Sequence, residues 1–150
     1  MSALKTQLET DLRDSMKARD ELVTSTLRMA IAAVRKAEVA GKQARELSDD
    51  EVMAVLTAEA KKRREAATAF ADAGRDSSAE KEKAEEAILA RYLPAQLSDE
   101  GLAELVREAL TTAGISGKAQ MGPAMKAAQA AVAGRAEGGR VAAEVRRQLG

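Results

Sequence analysis

Leu4, Leu8, Leu12 and Met16 recur every four residues, and apolar stripes of that kind return along the chain, while no segment alternates with period two. A spacing of three to four places side chains on one face of a helix, whereas a half-buried strand needs alternation. The sequence therefore specifies an all-α fold without strands. Composition agrees: 32% of the residues are charged and 45% are hydrophobic, with alanine supplying much of the second share. Such a mixture belongs to packed helices rather than to a disordered tail. A length of 150 residues allows one ordinary domain or two small ones.

Punctuation divides the periodic pattern into helices. Asp20 can cap a second helix with the stripe Val23, Leu27, Ala30, Ile31 and Val34, ending at Gly41. No Gly or Pro separates it from the first, so one rod and two helices are both open. Ser48-Asp49-Asp50-Glu51 is a capping box opening a third helix that runs to about Gly74. Asp76, Ser77 and Ser78 read as a polar break before a fourth helix, which stops near Tyr92, ahead of Pro94. Ser98 caps a fifth helix carrying Leu102, Leu105, Val106, Ala109 and Leu110. A sixth is expected from Met121 to Ala133, with Pro123 tolerated in its first turn. Gly138-Gly139 precedes a last helix with Val141, Val145 and Leu149. The expected layout is an N-terminal four-helix domain, residues 1–93, and a three-helix C-terminal module, residues 94–150.

Several chemistries are excluded at once. The chain has no Cys and no His, which removes disulfides, thiolate nucleophiles, sulfur or imidazole zinc sites and His-based triads. Phe70 and Tyr92 are its only aromatics, too few for a base-stacking platform. The longest apolar run, Met29 to Val34, is far shorter than a membrane span. The first twenty residues alternate charges without an apolar core, so no signal peptide is expected, and a soluble, cytoplasmic protein without a membrane partner is.

Charges occupy positions where a core should be. On the third helix the stripe Val52, Val55, Leu56 and Phe70 continues through Glu59 and Arg63, whose i,i+4 spacing allows pairing. On the fourth, Glu82, Glu85 and Glu86 share the face of Leu89 and Leu93. Arg28 lies beside the second helix's stripe, and Arg75 precedes the polar break. These residues suggest a partly buried network of Arg28, Glu59, Arg63, Arg75, Glu82 and Glu85 that sets helix register. A catalytic or metal cluster is the competing reading, but bundle metal sites usually combine carboxylates with His, and there is none. No catalytic residue, cofactor or metal is assigned. The run Lys61-Lys62-Arg63-Arg64 spreads around about 300° of a helix, so it does not form one basic patch.

Equal totals of 24 cations and 24 anions hide an asymmetry. Residues 95–110 set one cation, Arg107, against four anions; residues 111–150 set six cations against two anions. The six include Lys118, Lys126, Arg135, Arg140 and Arg147, of which Arg140 and Arg147 share one helical face. The sixth and seventh helices also begin at Gly-containing segments whose N–H groups could approach a phosphate. Without aromatics, such a surface suits backbone and shape contacts with structured RNA.

Further marks carry a family resemblance: Thr26-Leu27-Arg28, Lys61 and Arg63 before Glu65 and Phe70, Ala73-Gly74-Arg75, Glu82 with Glu85, and Arg91-Tyr92-Leu93-Pro94. Towards the C-terminus come Met121-Gly122, Met125-Lys126, Gly134-Arg135-Ala136, and Val141 with Val145. In this order and spacing the chain resembles the YqeY-like proteins along essentially its whole length. It departs from their pattern at Gln120 and Glu137, where Asp is usual, and at Pro123, where Lys is usual. Ser77-Ser78 stands for a typical Asp-Leu pair.

The resemblance implies a four-helix domain joined to a module that looks like the tail domain of the B subunit of glutamine-dependent tRNA amidotransferase. That tail is implicated in holding the tRNA body, so Lys126 and Arg135 become tRNA-contact candidates by analogy. The expected function is a non-catalytic tRNA-binding protein, or one associated with a tRNA-amidotransferase-like complex. The alternatives are the carbon–nitrogen ligase activity with which the family is associated, and a helical adaptor with an apolar groove near Met121 and Met125.

Overall fold

The computed structural model describes residues 2–150, and all its regular structure is helical. In chain order the helices are α1 (Ala3–Lys17), α2 (Glu21–Glu38), α3 (Asp49–Asp72), α4 (Asp76–Ala90), α5 (Asp99–Thr112), α6 (Met121–Val132) and α7 (Gly138–Leu149). A 3₁₀ turn, Lys118–Gln120, leads into α6. The chain clusters into two compact units, one running to Leu93 and one from Pro94 to Gly150. No helix among the described residues is long and apolar enough to cross a membrane.

α1 and α2 are separate helices without help from Gly or Pro. Arg19 takes a left-handed backbone (φ 56°), and Asp20 accepts from the Val23 N–H at 3.2 Å, so one residue stops α1 and the next caps α2. The capping box at Ser48 and Glu51 forms in full. The Ser2 hydroxyl and the Leu4 N–H both bond to Asp49, which laces the start of α1 to the start of α3. Arg45 forms an ion pair with Glu51 and holds its carboxyl down to about 2.

The polar break expected at Asp76-Ser77-Ser78 is absent, because those residues are the first turn of α4. Gly74, with φ 74°, reverses the chain alone, and the Arg75 N–H closes the end of α3 on the Phe70 carbonyl at 2.8 Å. Short polar residues then suit a helical first turn. The first unit's core joins Leu8 of α1, Leu27, Ile31 and Val34 of α2, Val52 and Leu56 of α3, and Ile88 and Leu89 of α4. Tyr92, just after α4, donates its hydroxyl to Asp11 of α1 at 2.5 Å, and burial followed by that bond pushes the phenol well up.

In the second unit each helix contributes a triplet at spacing four: Leu102, Val106, Leu110; Ala124, Ala128, Val132; and Val141, Val145, Leu149. Alanines on α6 let the neighbouring helices approach closely. Ser98 caps α5 by accepting from the Gly101 N–H at 3.0 Å. Ala133 and Gly134 are both left-handed and end α6. The Leu97 N–H then donates to the Arg135 carbonyl at 2.7 Å, tying the lead-in of α5 to the α6–α7 turn.

Candidate functional site

Glu59 and Arg63 lie on the face of α3 turned towards α4, and Glu82 and Glu85 answer from α4. The Arg63 guanidinium is 3.9 Å from Glu59, 3.7 Å from Glu82 and 3.7 Å from Glu85. Glu85 is 4% exposed and Glu59 is also buried. These separations suit charge attraction but exceed hydrogen-bond length. Arg63 Nε and Glu82 Oε2 are buried without a hydrogen-bond partner. Burial first, and then the neighbouring Glu82 carboxylate, raises Glu85 above the ordinary carboxylic-acid range, although Arg63 pulls the other way. Lys62 reaches Glu59 from the rim at 3.0 Å.

Two residues assigned to this network from sequence are elsewhere. Arg28 is exposed and donates to the Met16 sulfur at 3.6 Å. Arg75 is exposed and lies over the Phe70 ring, 5.0 Å from its centroid, a cation–π contact five residues back along the chain. Periodicity puts a residue near a stripe; it does not say which neighbouring helix offers a partner. The basic run from Lys61 to Arg64 is fully engaged with glutamates, Lys61 with Glu65 and Arg64 with Glu86 among them.

A separate hollow of about 600 Å³ in the same unit is lined by Asp11, Asp14, Asp20, Arg91 and Tyr92 with their neighbours. Sequence reading did not single it out, since its residues come from α1, the start of α2 and the segment after α4. Asp11 and Tyr92 are 81 residues apart, beyond any local signal.

The basic residues of the second unit separate into two kinds. Lys118 and Lys126 are exposed and make no hydrogen bond or ion pair among the described residues, and Arg146 shares that state. Arg135 is half-buried, its Nε donating to the Val132 carbonyl at 3.3 Å. Arg140 and Arg147 are committed within the chain: Arg140 to Asp99 at 2.9 Å, Arg147 to Glu144 at 2.5 Å. Charge counting along the sequence could not pair Asp99 with Arg140, because the two lie 41 residues apart. The Glu144–Arg147 pair has i,i+3 spacing, a local signal that the charge count passed over.

Neither α6 nor α7 starts with a side-chain cap. Gln120, before α6, turns its side chain back to the Ser116 N–H at 3.3 Å. Glu137, the residue before α7, makes no side-chain bond to the first-turn N–H groups. Met121 and Met125 pack against the second core, while a groove of about 420 Å³ between α5 and α6 is lined by Leu105, Ala109, Ala113, Ala127 and Ala131 among others.

Comparison with known proteins covers nearly the whole chain. A family model described as Yqey-like protein matches residues 5–149. The chain is also similar to the uncharacterized protein C22F3.15 of Schizosaccharomyces pombe, 34% identical over 97 residues, which is 64% of this chain and 76% of that protein.

Proposed function

The chain belongs to the YqeY-like protein family, and from that premise we propose that it is a non-catalytic tRNA-binding or tRNA-amidotransferase-associated protein whose C-terminal helices contact structured RNA. The observation that carries this reading is the state of Lys118 and Lys126: both are exposed and without an anionic partner among the described residues. Free ammonium groups are what a phosphate backbone neutralises, with release of its counterions. Arg135 stands with them as a half-buried cation whose guanidinium gives one bond to a main-chain carbonyl. The absence of aromatic residues from this unit favours contacts to phosphates and groove shape over stacked bases.

The Arg63 cluster has a structural role in this reading. Its single guanidinium is surrounded by three carboxylates of α3 and α4 and ties the two helices together.

Labelled tRNA titrated with the full chain, and followed by anisotropy at increasing salt, tests the proposal. Binding should weaken steeply with salt, and joint replacement of Lys118, Lys126 and Arg135 by Ala should lower the log–log salt slope by about 2 to 3. An absence of saturable binding at low salt, with a helical spectrum intact, sinks it.

A further inference from the structure

One face of α7 is already occupied by the chain's own carboxylates. Arg140 and Arg147 are two helical turns apart, about 10 Å along the axis, so each would meet a different phosphate. Arg140 Nη2 donates to Asp99 Oδ1 at 2.9 Å and to the Leu97 carbonyl at 3.0 Å. Arg147 donates through Nε and Nη2 to Glu144 at 3.0 and 2.5 Å. Gln148 supports the same Glu144 oxygen at 2.8 Å. A carboxylate presents two oxygens and a negative charge to a guanidinium, as a phosphate does.

We infer that Asp99 and Glu144 act as internal competitors, holding Arg140 and Arg147 in ion pairs that an RNA phosphate must displace, so that two acidic residues hold down the RNA affinity of the C-terminal unit. This rests on the RNA-binding reading above and adds a regulatory layer to it. Asp99 is 96% exposed, and exposed pairs are weak enough for a polyanion to exchange. The displaced carboxylate remains beside the incoming phosphate and repels it. Arg140 also has Nη1 and Nε without a hydrogen bond among the described residues, so it can turn towards a phosphate and keep Leu97. Lys118 and Lys126 carry no such competitor.

The test compares labelled-tRNA affinity of the full chain with that of Asp99→Asn, Glu144→Gln and the double variant, all checked for helical content. Glu108→Gln is the charge-matched control, since Glu108 lines the α5–α6 groove rather than α7. Each masking variant should tighten binding about threefold and the double variant about tenfold, with little change in the control. Adding Arg140→Ala and Arg147→Ala to the double variant should abolish the gain. Salt-sensitive binding by the wild type with no gain in the double variant overturns the inference alone. An equal gain from Glu108→Gln also overturns it, because bulk charge would then explain the effect. No binding by any variant at low salt overturns the RNA reading and this inference together.

Discussion

Arg63 and Arg147 each meet a glutamate one helical turn away, yet one guanidinium is sunk between α3 and α4 and the other stands in solvent. Arg63 is shared by three carboxylates at 3.7 to 3.9 Å and leaves its Nε orphaned. Arg147 makes a tight fork with Glu144 and pulls that carboxyl below its usual range. The better geometry therefore belongs to the pair that matters less for stability. Water screens the outer pair and would solvate Arg147 if released, while the less exposed Glu144 would keep its bond from Gln148. The buried cluster has no such alternative, so removing its cation leaves anions stranded.

Removal of the central cation should give the largest effect. Arg63→Ala should destabilise the fold by about 3 kcal/mol in urea unfolding at neutral pH, since Glu82 and Glu85 lose their counter-charge and Glu59 keeps only Lys62. A cost as small as that of an exposed pair would mean that water already reaches the cluster, and the contrast would collapse.

Glu85→Gln works in the opposite direction. The native state keeps the Glu85 proton at a pH where the unfolded chain has lost it. Stability from this group is therefore complete below the ordinary Glu range and is lost as pH rises through the folded value. Glutamine removes that loss, so the variant should be more stable than the wild type at neutral pH and show a flatter stability–pH curve. Equal slopes for variant and wild type between mildly acidic and neutral pH would contradict it.

Arg64→Ala sharpens the comparison within one helix pair. Arg64 meets Glu86 of α4 at 2.7 Å, one residue from Arg63 but facing outwards. Its loss should cost about 0.5 kcal/mol by the same urea measurement. The smallest effect is expected from Arg147→Ala, a loss of stability below that of Arg64→Ala, part of which should vanish in high salt. If thermal melts rank Arg147→Ala beside Arg63→Ala, burial is not what separates the two clusters.

Much of the fold was legible because its signals are local. Ser48 and Glu51 cap α3 from three residues apart, and the Leu102, Val106, Leu110 triplet lies on one face by helical geometry alone. The start of α4 was misread because Asp76, Ser77 and Ser78 serve equally in a loop or a first helical turn; the left-handed Gly74 decides. Of the charged residues, Glu59 with Arg63 was legible at i,i+4 spacing, whereas the cation facing Glu82 and Glu85 was open among Arg28, Arg63 and Arg75, and the structure selects Arg63. Arg28 and Arg75 were misassigned because a stripe gives a direction without a partner.

The sequence by itself determined an all-α chain, its family, the helix stripes and the chemistries that a chain without Cys or His cannot perform. These follow from residue identity and from contacts within a few helical turns. Tertiary structure alone decided which charges are spent and which are free. Asp99 reaches Arg140 across 41 residues, and Tyr92 reaches Asp11 across 81. Electrostatic partnership depends on distance in space and on access to water. Helix packing sets both quantities, and position along the chain sets neither.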